Sequence, residues 1–358
     1  MVTSEQVARR AGVSQATVSR VINGSKYISA EMRERVLAAI NELGYEPDMI
    51  ARNLVQRRSR VIALNFFATE NELTFAKFGR TSKYFYLDVL KYIEEEAVSS
   101  GYDLLMPFRP RDKSPEGYVR SLQTRSVAGS IMLMPGSQDP RIQALLRAEL
   151  PSVFIGSRIQ GSAATYVKSD HIDGARQITE HLLALGHRRI AFLAGSEASL
   201  SSMERLLGCH QALEQAGIAL DAHLLRHSGW DMEDAYKAAS QLLDERHDFT
   251  AIIAASDVMA IGALRALNEH DLHVPDDISL ASFDGIDFGE YTVPPLTTMW
   301  QDREAIGRGA VQLLIAMIEG AGQEPPPPLI VPTRLVVRKS TKFAPSSRTT
   351  GDESDERG

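Results

Sequence analysis

The sequence predicts an all-α helix-turn-helix head joined to an α/β body of two lobes, each a doubly wound parallel sheet. Three observations carry this. The first 45 residues hold three short amphipathic segments with helix-capping signals. From residue 61 onward, short apolar runs alternate with helical patterns. Those units are too many for one compact sheet, and 358 residues suit about two or three units of ordinary size.

Local chemistry accounts for each element of the head. Thr3-Ser4-Glu5-Gln6 has the T-x-x-Q form of a capping box, and the apolar residues Val7, Ala8 and Ala11 follow it. Gly12 breaks that pattern. Ser14 can cap a second helix carrying Val18, Val21 and Ile22, and Asn23-Gly24-Ser25 reads as a turn. Ser29 can cap a third helix, with Met32, Val36, Ile40 and Leu43 three to four residues apart and Gly44 as its stop. Two short helices meeting at a glycine form either a DNA-reading helix-turn-helix or an ordinary helical hairpin. Pro47 then opens a short segment to about Leu54, and the basic stretch Gln56-Arg57-Arg58-Ser59-Arg60 reads as a linker.

In the body, strand candidates begin at Val61, Asp103, Ser130, Ser152, Ile190, Ala251 and Ile278, with helical segments such as 86–99 and 170–185 between them. Pro325 to Pro328 reads as a surface connection before a last strand, Leu329 to Val337. After Thr341 the chain is polar, and a disordered tail is expected over 342–358.

Composition narrows the function classes. No apolar run reaches the roughly 18 residues of a membrane span. The first residues lack a cationic stretch followed by an apolar one, so no signal peptide and a cytoplasmic location are expected. Cys209 is the single cysteine, which excludes an intrachain disulfide. Residues 1–60 carry 10 basic and 6 acidic side chains, leaving 29 basic and 40 acidic in the remainder. A basic head on an acidic body suits a chain that meets a polyanion through its head.

Catalytic patterns are missing. There is no H-E-x-x-H, G-x-S-x-G or Walker loop, and Gly307-Arg308-Gly309 sits in a helical pattern without a third glycine. His223 and His227 flank what reads as a strand entry, and two ligands do not make a zinc site. No enzyme activity, cofactor or metal is expected.

Residues 11–23, Ala-Gly-Val-Ser-x-x-Thr-Val-Ser-Arg-Val-x-Asn, closely resemble the head of the LacI/GalR family of transcriptional regulators. The resemblance continues through Ser29, Arg33, Val36, Leu43-Gly44-Tyr45, Pro47, Ala51 and Leu54. Further signatures are Leu185-Gly186-His187-Arg188-Arg189-Ile190, Val274-Pro275-Asp276-Asp277-Ile278-Ser279, Pro294-Pro295-Leu296-Thr297-Thr298 and Arg338-Lys339-Ser340-Thr341. Together they span the chain to Thr341.

The resemblance implies a periplasmic-binding-protein-like body and a division into domains. These are 1–46 as the DNA-binding head, 47–60 as hinge helix and linker, and 61–341 as the effector-binding and dimerisation body. Its lobes are expected at about 61–160 plus 291–323, and about 161–290 plus 324–341.

It also implies residue roles. Gln15, Ala16 and Arg20 stand where relatives read bases; glutamine suits adenine, arginine suits guanine, and alanine can touch a thymine methyl. Thr3, Ser14, Thr17, Ser19, Asn23 and Tyr27 are candidates for backbone phosphate contacts. Ala51 and Leu54 lie in the expected minor-groove hinge, with Leu54 as the apolar wedge that kinks a base step. Val18 and Val21 are expected in the core, and His187 is expected as a cap or core histidine.

Tyr84, Phe85, Asp170, Arg205, Trp230, Ser256 and Asp284 are the expected effector contacts. Arg205 and Asp284 suit adjacent hydroxyls, and Trp230 suits the apolar face of a ring. The implied function is a repressor that binds double-stranded operator DNA of pseudo-palindromic sequence as a homodimer and is switched by a small molecule, most simply a sugar. The alternatives are a regulator switched by a protein partner and a solute-binding protein.

Three departures from the family pattern bear on the ligand. Ser256-Asp257 stands in place of the usual Asn-Asp pair, Ala281-Ser282 precedes Phe283-Asp284, and the connection 65–83 is long and lies beside the expected pocket mouth. The chain also lacks a C-terminal leucine heptad, which favours a dimer over a tetramer.

Overall fold

A computed structural model describes residues 2–22, 25, 27–45, 59–66, 84–106, 114–134 and 139–345. The chain divides into two compact units, Met1–Arg60 and Val61–Gly358.

The head consists of α1 (Ser4–Ala11), α2 (Gln15–Ile22) and α3 (Ala30–Leu43). The capping box at its start is formed in both directions. Gln6 N donates to Thr3 Oγ1 at 3.3 Å, and Thr3 N donates to Gln6 Oε1 at 2.8 Å. Gly12 closes α1 with a left-handed backbone of φ 66°, a region that favours glycine, and this lets the chain turn sharply into α2. Ser14 Oγ accepts from Thr17 N at 3.1 Å, and Ser29 Oγ accepts from Met32 N at 3.3 Å. Val7, Ala8, Ala11, Val18, Val21, Val36 and Ala39 form the core of this unit. Arg35 donates to the Ala11 carbonyl at 2.6 Å, which ties α3 to the turn between the first two helices.

The body elements run in chain order as follows. β1 is Val61–Phe66, α4 is Tyr84–Ser99, β2 is Asp103–Leu105, α5 is Pro115–Thr124 and β3 is Val127–Leu133. Next come α6 (Pro140–Arg147), β4 (Ser152–Ile155), β5 (Ala164–Ser169), α7 (His171–Ala184), β6 (Ile190–Ala194) and α8 (Leu200–Gln215). They are followed by β7 (Leu225–His227), α9 (Met232–Glu245), β8 (Ala251–Ala254), α10 (Asp257–Glu269) and β9 (Ser279–Asp284). The last are β10 (Thr297–Gln301), α11 (Arg303–Glu319), β11 (Leu329–Val331) and β12 (Thr333–Val336).

Among the described residues these strands form two six-stranded sheets, ordered β11-β5-β4-β3-β1-β2 and β12-β10-β9-β8-β6-β7. All neighbours pair in parallel except β10 with β12. The inner strands are near-continuous apolar runs because helices cover both faces, leaving β6, β8 and β9 buried along their length.

The chain crosses between the lobes three times: from β5 into α7 at Asp170, from β10 into α11 at Asp302, and from β11 into β12 at Pro332. These crossings correct the expected lobe boundaries. The sequence expectation places residues 161–290 and 324–341 in the second lobe. Instead, Ala164–Ser169 pairs with β4, and Leu329–Val331 pairs with β5, both in the first sheet. Thr297–Gln301, expected in the first lobe, pairs with β9 in the second. Strand membership is decided by hydrogen bonds to distant segments, and these leave no mark on local spacing.

The expected last strand, Leu329 to Val337, is also divided. Pro332 has no N–H to continue a ladder, so one half joins each sheet.

Residues 342–345, expected in a disordered tail, pack on the body, and 346–358 lie outside the described residues. Ala344 N donates to the Leu185 carbonyl at 2.8 Å, and Lys342 pairs with Asp276 at 2.5 Å. His187 helps to hold this segment. Its ring nitrogens lie 2.8 Å from Thr250 Oγ1 and 3.0 Å from the Lys342 carbonyl, in a buried site that lowers its pKa.

A close helix approach in the second lobe depends on Gly208. A Cβ there would run into the Ile172 carbonyl oxygen and the Ala175 methyl of α7. Gly208→Ala is therefore expected to push α8 off α7 and to destabilise the body by about 1–3 kcal/mol. Urea unfolding followed through Trp230 and Trp300 fluorescence measures this, and an unchanged midpoint would contradict the close packing.

Candidate functional site

In the head, α2 presents Gln15, Ala16, Ser19 and Arg20 to solvent, while Val18 and Val21 are buried. The base-reading candidates thus share the outer side of one short helix, as groove entry requires. Gln15 Nε2 donates to Ser4 Oγ at 2.7 Å, which tethers its amide beside the start of α1. The phosphate candidates divide by job. Thr3 and Ser14 serve as helix caps, Thr17 shares a 2.9 Å hydrogen bond with Ser14, and Tyr27 is 97% exposed. Asn23, Ala51 and Leu54 lie outside the described residues.

In the body, carboxyl ends of strands from the second sheet converge on Arg205. This guanidinium is 3% exposed and rises from the second turn of α8. Nη1 donates to the Ala255 carbonyl just beyond β8. Nη2 makes long contacts to Asp284 Oδ1 at 3.4 Å and His171 Nδ1 at 3.5 Å. Its centre lies 4.7 Å from the Phe283 ring centroid and 5.6 Å from that of Trp230, within cation–π range. Nε is buried without a partner among the described residues.

Asp284 ends β9 with φ 108°, a strained value for a residue with a side chain. Its Oδ1 also accepts from Gln301 Nε2 at 2.7 Å. Burial raises its pKa, and the Arg205 charge partly offsets that rise. His171 is held neutral, its pKa pushed well down by burial and then by the charges of Arg205 and Lys168. Trp230 packs its ring where a Cβ at Gly195 would stand, so the glycine after β6 is what admits the indole.

The first lobe contributes Tyr86. Burial pushes its phenol pKa up, with Arg205 lowering it and Asp284 raising it, so the hydroxyl stands within the field of both charges. A Cβ at Gly156 would come within 3.2 Å of that hydroxyl.

The expected residues therefore separate. Arg205, Asp284 and Trp230 meet at one place. Tyr84 is elsewhere, its ring 5.0 Å from Phe288 beside a groove of about 280 Å³. Phe85 is buried in the first lobe's core, whereas its neighbour Tyr86 lies within the field of Arg205 and Asp284. Asp170 and Ser256 act as helix caps, accepting from Asp173 N at 3.2 Å and from Met259 N at 3.2 Å. Sequence reasoning missed His171, Gln301, Phe283 and Asp257. Each lies within three residues of a strand's carboxyl end, the one signal that could have marked it.

Asp257 holds the floor of this site. Its Oδ1 accepts from Ser282 Oγ at 2.5 Å and Thr298 Oγ1 at 2.6 Å, and its Oδ2 accepts from Ile286 N at 2.7 Å. The carboxylate thereby spans the turn that bears Asp284 and Gly285. Burial pushes its pKa up to about 7, the Asp284 charge adds to this, and the three donors only partly offset it.

A carboxyl raised in the folded state keeps its proton after the unfolded chain has lost its own. Its contribution to stability is full below the unfolded value of about 4 and declines as pH rises towards the folded value. Asp257→Asn removes that titration. The variant's stability relative to wild type should therefore improve between about pH 5 and about pH 7.5 in urea unfolding. A stability difference that does not vary with pH would rule out this titration.

Comparison with known proteins agrees with both units. A family model described as bacterial regulatory proteins, lacI family, matches residues 4–48, and one described as a periplasmic binding protein-like domain matches 179–341. The HTH-type transcriptional regulator CelR of Thermobifida fusca is 36% identical over 341 residues, covering 94% of this chain and 98% of the relative. The HTH-type transcriptional regulator AscG of Escherichia coli (strain K12) is 32% identical, covering 97% and 100%. Among solved structures, a CelR–cellobiose complex superposes with a TM-score of 0.71 at 34% identity, covering 95% of this chain and 100% of the other. A lac repressor dimer bound to operator and the anti-inducer ONPF gives 0.80 at 31%, covering 95% and 99%. These relatives are regulators, not enzymes. Among the described residues no helix is long and apolar enough to cross a membrane. With a helix-turn-helix head, a two-lobed body and these relatives along nearly its whole length, the chain belongs to the LacI family of DNA-binding transcriptional regulators.

Proposed function

We propose that this regulator is a repressor that binds a pseudo-palindromic operator as a homodimer and is switched by a sugar held at Arg205. The observation that carries the reading is the buried Arg205–Asp284 pair, with Trp230 and Phe283 on its flanks. A cation and a carboxylate side by side suit vicinal hydroxyls, and the indole suits the C–H face of a ring. The unpartnered Nε of Arg205 leaves a donor for a ligand oxygen. The complex of CelR with cellobiose makes glycosides the first class to test.

Dimerisation has its own support. Phe288, Tyr291 and Val293 are 55%, 82% and 89% exposed, and the first two border the apolar groove with Met232, Val258 and Ile261. So much exposed apolar surface in one place suits burial against a second copy.

In the switch we propose, ligand closes the lobes and rotates the paired first lobes. That changes the separation of the two chains at Arg60 and so forms or melts the paired hinge helices of residues 47–55. An isolated helix this short is unstable alone, which makes it a sensitive readout.

Thermal-shift screening against mono- and disaccharides, cellobiose included, followed by operator binding with each hit, tests the reading directly. A chain that binds operator but responds to no sugar would overturn it. Arg205→Ala is expected to abolish the sugar response while leaving effector-free operator affinity unchanged; a variant that still responds would remove Arg205 from the site. Leu54→Ala is expected to weaken specific operator binding about tenfold or more while sugar affinity stays constant. Equal losses of both affinities in fluorescence titrations would contradict a hinge role.

A further inference from the structure

Beside Arg205 lies a charge cluster that effector recognition does not use. Glu204, the preceding residue of α8, is 4% exposed. Its Oε2 accepts from Lys168 Nζ at 2.6 Å, and its Oε1 lies 2.5 Å from Arg158 Nη2. Lys168 is 4% exposed and also donates to the Ser169 carbonyl at 3.2 Å. Glu204 belongs to the second lobe, whereas Lys168 is on β5 and Arg158 follows β4, both in the first. One buried carboxylate therefore joins the lobes through two cations.

We propose that Glu204 is an inter-lobe latch, a positioning residue that holds the first two turns of α8, and Arg205 with them, against the first lobe. Two features support this over simple local packing. First, Lys168 is two residues before Asp170, where the first crossover enters α7. A bond from Lys168 to α8 therefore spans the pivot, and it must stretch or break if the lobes part. Second, a buried ion pair tolerates little displacement. Either charge left alone out of water is strongly unfavourable, so the pair defines one lobe arrangement sharply. Arg158 is half exposed and acts as the outer member that keeps the carboxylate compensated. The consequence for ligand affinity rests on Arg205 being an effector contact; the latch itself does not.

The test is made on the full chain without ligand. Spin labels at R147C on α6 and K237C on α9 report the distance between lobes. Both sites are exposed, and the native Cys209 is buried. Labelled chains are diluted into unlabelled chains so that only pairs within one chain contribute.

The wild type is expected to give a narrow distance distribution. E204Q, which keeps the shape and removes the charge, should broaden or shift it, as should K168M. Amide exchange should quicken about tenfold or more at residues 200–208 and also at 156–158 and 166–169. E204Q/K168M should be no worse than the worse single variant, because the same pair is already broken. E204D, which keeps the charge, should restore most of the wild-type distribution.

Three results would each overturn the latch. They are an unchanged distance distribution in E204Q, faster exchange confined to 200–208, or additive losses in the double variant. R205A separates the two proposals. A sugar response retained in R205A would defeat the effector reading, while the latch is judged on the ligand-free distances of E204Q and K168M alone.

Discussion

Arg205 has had its charge taken out of water, and much of the body's architecture provides for it. A buried guanidinium is tolerated only where acceptors and ring faces replace the solvent. The acceptors come from the Ala255 carbonyl after β8, Asp284 at the end of β9 and His171 at the start of α7. Gln301, at the end of β10, holds Asp284 in turn. A single cation thus brings together carboxyl ends from across one sheet and the entrance of the first crossover.

The support beneath that cation is also ionic. Asp257 accepts three hydrogen bonds that span β9, β10 and the turn after Asp284. Burial, and then the charge of nearby Asp284, raise the pKa of Asp257, while burial raises that of Asp284. In the family pattern this residue follows an asparagine. Here Ser256 takes that place and caps α10 with its hydroxyl, so a side chain that elsewhere could face the ligand is committed to the backbone. Tyr86, His171 and Gln301 add polar groups around Arg205 and Asp284.

Lobe geometry and ligand chemistry meet at the Glu204–Arg205 step. Arg205 looks towards Asp284 within its own lobe, while Glu204 looks back to Lys168 and Arg158 in the other. Consecutive residues of α8 thereby face the candidate site and the other lobe, which is how the two proposals meet. Arg303 adds a second tie of this kind, donating to the Gly285 carbonyl at 3.0 Å and pairing with Asp88 at 3.2 Å. In the proposed switch the body pivots at the crossings Asp170, Asp302 and Pro332 and its sheets stay intact.

The head was legible almost residue by residue. Its caps, its glycine turn and its buried valines all depend on groups within a few positions of one another, which a one-dimensional pattern records. Arg205, Trp230 and Asp284 were also legible, because each sits in a motif matched as a unit. Tyr86 against Phe85 was not, since both lie in one aromatic run and only the packing of α4 decides which of them enters the core. The lobe boundaries were not legible either. Ala164–Ser169, Thr297–Gln301 and Leu329–Val331 are ordinary short strands whose sheet is set by partners far along the chain. What the sequence alone determined was the elements and the chemistry they carry, because these follow from local spacing and side-chain type. What only the tertiary structure decided was the assembly of those elements, including the Glu204 link between lobes, because burial and charge pairing arise only when distant segments exclude water together.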